Sequence, residues 1–143
     1  MEDKLKEAIR VYNKIAKIYS ERNYGKILQF QLLRFGSLLK GKKVLDAGCG
    51  PGRDVEYLMS EGYEVTGIDL SEGMIEEAKK NVPNGNFVLM DFRKMKFKAK
   101  SFDGIWSYLK KFRKPNFSLK FDNISILKNV HGVWKIYKVF RIK

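Results

Sequence analysis

Apolar positions recur along the chain with two different periods. From Asp3 to about Tyr19, Leu5, Ala8, Val11, Tyr12, Ile15, Ala16 and Tyr19 fall at i, i+3, i+4 and i+7 spacings. That is one apolar stripe of a helix. Ser20 to Gly25 interrupts the pattern. A second helical stripe follows with Ile27, Leu28, Leu32, Leu33, Phe35, Leu38 and Leu39, stopped by Gly41. The period then changes. Lys43-Val44-Leu45-Asp46-Ala47 is a short apolar run opening into glycines, which predicts a buried strand. Val55, Leu58 and Met59 fit a helix from Asp54 to Ser60 that Gly62 ends. Glu64 to Asp69 predicts a second strand. Ser71 can cap a helix carrying Met74, Ile75 and Ala78. Pro83-Asn84-Gly85 is a turn, Asn86 to Met90 a third strand, and Phe102 to Trp106 a fourth.

Strands alternating with helices predict an α/β fold: a Rossmann-like, mostly parallel sheet with helices on both faces. After Ser107 the pattern alternates at period two through Phe117, Leu119 and Phe121, then Ile124 and Ile126, then Trp134, Ile136 and Phe140. Asn129 to Gly132 would be a turn. The sheet is therefore expected to be shortened or rebuilt by C-terminal β-strands. One domain is expected over 1–143: N-terminal helices in 1–42, a ligand-binding βαβ core in 43–107 and a basic, β-rich tail in 108–143.

Composition narrows the class. The 143 residues are 44% hydrophobic, enough for a core and against global disorder. No apolar run approaches the roughly 18–20 residues that span a bilayer. The start, Met1-Glu2-Asp3-Lys4, does not read as a signal peptide, so a cytoplasmic location is expected. The single cysteine, Cys49, excludes an internal disulfide. The net charge of +13 is unevenly spread. Residues 1–43 carry 11 basic and 4 acidic side chains, 44–92 carry 3 and 10, and 93–143 carry 15 and 2. Basic flanks around an acidic middle suit a polyanionic partner such as nucleic acid, and suit equally an ordinary solvated lysine surface.

The chemistry concentrates at Asp46-Ala47-Gly48-Cys49-Gly50-Pro51-Gly52, a strand ending in a glycine-rich turn before a helix. Glycines there admit a close ligand and positive φ. Asp69 ends the next strand, 21 residues after Gly48. In a doubly wound sheet that places a carboxylate beside the loop, where it can accept from a ribose diol. The spacing is Gly-x-Gly-x-Gly, and Asp54 and Glu56 stand in the first helical turn, where a pyrophosphate would be repelled. With Asp46 added, the charge suits a cationic ligand such as a sulfonium. No Gly-Lys-Ser/Thr follows, which excludes a P-loop.

Val44 to Ser107 resembles the N-terminal half of a class I S-adenosylmethionine-dependent methyltransferase. Val44 to Gly52 is similar to that family's first motif, and Gly67-Ile68-Asp69-Leu70-Ser71 with Met74-Ile75 to its second-strand motif. Asp91-Phe92 falls where the family contacts adenine, and Phe102 to Ser107 resembles its fourth strand. The resemblance implies S-adenosyl-L-methionine as cofactor and methyl transfer to an unidentified, small-molecule acceptor. It implies that Gly48, Cys49, Gly50 and Gly52 shape the methionine end of the site, with Asp46 facing the amino group. Cys49 reads as a small filler there rather than a nucleophile. Asp69 would bind the ribose hydroxyls and Leu70 and Met74 would flank the adenine. Asp91 and the Phe92 backbone would meet the adenine edge, and Ser107 would lie near methyl transfer. The run Tyr12 to Tyr19 resembles the family's lid helix, with Tyr12 and Tyr19 above the cofactor, although both also fit core packing. Met74 and Leu70 fit core packing too, and Asp91 fits a turn cap.

No catalytic dyad is visible and no metal site is expected. His131, the only histidine, reads as a turn residue. The family continues with more sheet than the 36 residues after Ser107 provide. That leaves three readings: a compact methyltransferase, a truncated member that binds cofactor without turnover, and a nucleic-acid-binding module. Lys110-Lys111-Phe112-Arg113-Lys114-Pro115 would be the family's link into a fifth strand. An exposed sheet edge could be covered by homodimerisation through the C-terminal strands.

Overall fold

The computed structural model describes residues 2–25, 28–98 and 100–107, and the backbone of two strands at 126–130 and 133–137. Helices α1 (Glu2–Asn23) and α2 (Gln29–Ser37) precede β1 (Lys43–Ala47), α3 (Arg53–Ser60), β2 (Glu64–Asp69), α4 (Glu72–Asn81), β3 (Asn86–Leu89) and β4 (Gly104–Trp106). The four strands form one parallel sheet in the order β3-β2-β1-β4. A separate antiparallel pair joins β5 (Ile126–Val130) to β6 (Val133–Tyr137), with Val130 opposite Val133. Strand β5 takes in Asn129 and Val130, which the sequence pattern assigns to the turn. Phe117, Leu119, Phe121, Ile124, Phe140, His131, Gly132 and the Lys110–Pro115 link lie outside the described residues.

Side-chain alternation along the strands sorts the core into two clusters. Val44, Val65, Phe87 and Trp106 face the helices and pack with Leu32 and Phe35 of α2, Val55 and Leu58 of α3, and Ile75 and Ala78 of α4. Leu45, Ala47, Ile68 and Ile105 face the other way. Among the described residues no α-helix packs on that second face. It is covered by the segment after β3, through Met90, Phe92, Met95, Phe97 and Phe102, with Phe97 and Phe102 in an edge-to-face contact at 4.9 Å. Lys94, Lys96 and Lys98 on the same segment are exposed. The expectation of helices on both faces is thus met on one face here, and a strap of alternating apolar and basic residues covers the other.

Helix α1 runs four residues past its expected end. Ser20 is buried and its hydroxyl is engaged by Asn81 of α4, so it does not compete for its own backbone. Tyr24 N–H donates to the Ser20 carbonyl and closes the last turn. Helix α2 is shorter than its apolar pattern; the turns after it close through Leu38 and Leu39 N–H to the carbonyls of Phe35 and Gly36. Helix α4 starts as expected, with the Ser71 hydroxyl accepting from Met74 N–H at 3.2 Å.

Trp106 is fully buried against Phe35, ring centroids 5.5 Å apart, and its indole N–H donates to Asp54 Oδ2 at 2.9 Å. This bond ties β4 to the first turn of α3 beneath the glycine loop. Trp106→Phe should destabilise the fold by about 1–3 kcal/mol, because a buried charged acceptor loses its donor. Urea unfolding followed by circular dichroism would measure it, and a shift below 0.5 kcal/mol would show the bond to be dispensable.

Candidate active site

The sheet order reverses direction at β1, between β2 and β4, so a crevice opens at the carboxyl ends of these strands. The glycine loop occupies it. Gly48 and Cys49 N–H groups both donate to the Ile68 carbonyl, and Gly50 N–H donates to Asp69 Oδ2 at 2.9 Å. Gly50 has φ +52° and Gly52 φ +86°, both in the left-handed region. At Gly52 a Cβ would also press on Phe87, Ala78 and Val82 at 3.1–3.3 Å, so this glycine seats the loop on the core as well as turning it. Gly67, on β2, faces Cys49: a Cβ there would meet the Cys49 side chain at 3.0 Å. Cys49 is therefore the filler between strand and loop. Burial, with Asp46 and Asp69 nearby, pushes its thiol well above the usual range, which makes it a poor nucleophile.

Asp69 is the best-oriented carboxylate. Its Oδ2 holds Gly50 N–H and its Oδ1 holds Ser71 N–H, each at 2.9 Å. Burial raises its pKa, opposed by the backbone N–H groups of Ser71, Gly50 and Leu70. Each oxygen keeps a lone pair for a further donor.

Asp46 lies deeper, 2% exposed, and among the described residues its Oδ2 has no hydrogen-bond partner. Burial raises its pKa well above the ordinary carboxylate value. The charges of Asp54 and Asp69 add to that, and Arg53 opposes it. From sequence Asp46 reads as a fixed negative charge; burial instead favours its neutral form.

The start of α3 also differs from its sequence reading. Asp54 and Glu56 were expected to stand against an anionic ligand. Asp54 turns inward, with Oδ2 on Trp106 and Oδ1 on Arg53 Nε at 2.8 Å. Glu56 accepts from the Tyr24 hydroxyl at 2.6 Å, and this bond together with burial raises the Tyr24 pKa. Arg53, not singled out from sequence, lines the cleft together with Tyr19, Asn23, Gly48, Cys49, Gly50, Pro51 and Asp54. The cleft measures about 480 Å³ including its open mouth. Its signal in the sequence was only a basic residue directly after the last loop glycine.

The remaining expected site residues divide. Tyr19 lines the cleft, whereas Tyr12 is exposed and meets Tyr19 edge-to-face at 6.1 Å. Met74 is buried and Leu70 half-buried. Ser107 Oγ donates to the Ala47 carbonyl at 2.8 Å, which fixes it at the tip of β1. Asp91 caps the short 3₁₀ turn Phe92–Lys94 and both of its oxygens are held by Arg93. The Arg93 bonds also lower its pKa. Its partner is thus local, and Phe92 packs into the second core cluster.

A parallel sheet with a glycine loop after its first strand and an amide-held carboxylate at the end of its second defines a Rossmann-like α/β class. Residues 44–132 match a family model described as Methyltransferase domain. The chain belongs to this family, within the class I S-adenosylmethionine-dependent methyltransferases. It is 41% identical over 76 residues to the malonyl-[acyl-carrier protein] O-methyltransferase of Salmonella typhimurium, across 51% of this chain and 30% of that enzyme. It is 44% identical over 68 residues to an uncharacterized methyltransferase of Schizosaccharomyces pombe, across 45% of this chain and 46% of that protein. The chain thus matches less than half the length of either relative. Among solved structures, the PH0226 protein of Pyrococcus horikoshii OT3 aligns with a TM-score of 0.55 and 34% identity, across 70% of this chain and 49% of that one. A phosphoethanolamine N-methyltransferase of Haemonchus contortus in complex with S-adenosyl-L-methionine aligns with a TM-score of 0.50 and 31% identity, across 55% of this chain and 20% of that one. Among the described residues, no helix is long and apolar enough to cross a membrane.

The raised pKa of Asp46 sets a pH dependence. A carboxyl whose folded pKa lies above its unfolded value contributes stability that is complete below the unfolded pKa and is lost as pH rises through the folded one. Asp46→Asn should therefore raise the melting temperature of the ligand-free protein at pH 7–8 and leave it little changed near pH 4. Thermal denaturation across that pH range tests this; equal shifts at both ends would mean that Asp46 is not the titrating group.

Proposed function

We propose that this chain binds S-adenosyl-L-methionine across the carboxyl ends of β1 and β2 and transfers its methyl group to a small-molecule acceptor in the cytoplasm. The carrying observation is Asp69: two backbone amides fix its carboxylate beside the loop and leave one lone pair on each oxygen. A vicinal diol can donate to both at once. The orphaned Asp46 Oδ2 is the second support, because a buried carboxyl without a donor suits an ammonium group at the methionine end. Arg53, partly neutralised by Asp54, lies at the same end of the cleft and would face the methionine carboxylate.

When bound, the cofactor supplies a methyl group already activated by its sulfonium. The protein then has to orient two reactants in line and exclude water. Tyr19 and Asn23 would wall the cleft from the α1 side, and Leu70 and Met74 would flank the adenine. The Ser107 hydroxyl, spent as a donor on Ala47, would offer only its lone pairs toward the transfer site. A protein base is needed only for an acceptor that holds its proton at working pH.

Titration calorimetry with S-adenosyl-L-methionine tests the site, and absence of binding would refute it. Asp69→Ala should weaken binding by about 1.5–3 kcal/mol, the range for hydrogen bonds to a charged group. Unchanged affinity would remove Asp69 from ribose recognition. Incubation with methyl-labelled cofactor and metabolite pools then separates turnover from binding alone.

A further inference from the structure

The sequence reading left Asn81 unassigned, at the end of α4 and away from the glycine motif. In the structure its side-chain amide reaches two other elements. One hydrogen bond goes to the Ser20 hydroxyl of α1 and one to the Pro51 carbonyl of the glycine loop, each at 2.9 Å. A side-chain amide has two N–H donors, so this pair of acceptors saturates it. Ser20 is 5% exposed and Pro51 is buried, so water does not readily replace either bond.

The two acceptors sit at informative places. Pro51 stands between Gly50 and Gly52, two of the three left-handed glycines of the loop. Gly50 is held from the other side by Asp69. The loop is thus gripped at Gly50 by the ribose-type carboxylate and at Pro51 by Asn81. Ser20 directly follows Tyr19, which walls the cleft. The far end of the α1–α4 contact is fixed separately: Asn13 Oδ1 accepts from the Ser71 hydroxyl at 2.7 Å and from Gly73 N–H at 3.1 Å. At Gly73 a Cβ would meet the Asn13 carbonyl at 2.9 Å, so the helices touch there without room to slide. The ties from the end of α1 to α3, Tyr24 to Glu56 and Arg53 to the Asn23 carbonyl, do not include a loop group between residues 48 and 52.

We propose that Asn81 is a positioning residue that couples the α1 wall of the cleft to the glycine loop, so that ordering the loop around the cofactor also seats Tyr19 and Asn23. This rests on the cofactor reading above. The coupling runs in series, from Pro51 through the Asn81 amide to Ser20, and breaking either link should weaken the coupling between the two ends.

Two variants cut different links. Ser20→Ala removes the α1 acceptor and keeps Pro51. Asn81→Asp cannot donate to the Pro51 carbonyl but still accepts from the Ser20 hydroxyl. S-adenosylhomocysteine is the probe, with affinity from calorimetry and backbone amide exchange of residues 13–23 with and without it. The wild-type protein should bind and its α1 exchange should slow on binding. Each variant should bind about three- to tenfold more weakly, the effect of one lost hydrogen bond. In each, the slowing of α1 exchange by the probe should be smaller than in the wild-type protein. The double variant should bind no more weakly than the weaker single one. Multiplied effects would show two independent structural ties and overturn the proposal, as would α1 protection in Ser20→Ala, the mildest change, that follows the probe as fully as in the wild-type protein. A wild-type protein that does not bind the probe would instead overturn the cofactor reading itself.

Discussion

Two backbone amides, from Gly50 and Ser71, converge on the carboxylate of Asp69, and much of the site is organised around that convergence. The bond to Gly50 holds the glycine loop over the end of β1. The bond to Ser71 sets the turn from which α4 starts. The same carboxylate ends β2, beside the crevice where β2 and β4 lie on either side of β1. Loop shape, helix start and carboxylate are one arrangement, and the parallel register of β1 with β2 is what brings them together, with Ala47 paired to Ile68 one residue before Asp69.

The electrostatics around this anchor are less uniform than the acidic count suggests. Three carboxylates, Asp46, Asp54 and Asp69, lie close together, and the charges of Asp54 and Asp69 raise the proton affinity of Asp46. They are treated differently. Asp69 is compensated by amides, and Asp54 by the Trp106 indole and the Arg53 guanidinium. Asp46 is compensated by nothing at Oδ2. A ligand-free protein carries this uncompensated group as a loss of stability.

Around the sheet the protein uses two kinds of cover. On one face α2, α3 and α4 make a layered core closed by Trp106 and Phe35, and α1 lies on α4 through polar bridges at each end of the contact. On the other face an irregular strap turns Met95, Phe97 and Phe102 toward Leu45, Ile68 and Ile105 and leaves its lysines in water. An amphipathic strap buries apolar surface without a helix because alternate residues of an extended chain face opposite sides. The polar bridges of α1 place its end against the loop more specifically than apolar packing would, since each donor has one acceptor within reach.

The sequence by itself determined the strands, the loop and the capped helix. Period-two and period-3.6 apolar patterns reflect burial on one side of an element, and the turn chemistry of Gly48 to Gly52 and of Ser71 is local. Asp69 was legible for the same reason: it ends a strand at a fixed distance from a glycine loop. What could not be read was which polar side chain meets which. Asn81, Asn13 and Ser20 look like ordinary helix-surface residues until α1 is laid on α4. Ser20 looked like a helix stop because its partner is 61 residues away. Asp54 reads from sequence as a carboxylate facing a ligand at the helix start, yet Trp106, contributed by a strand 52 residues later, draws it inward. Only the tertiary structure decided these, because a hydrogen bond between distant segments depends on where their backbones pack, and local periodicity carries no record of that.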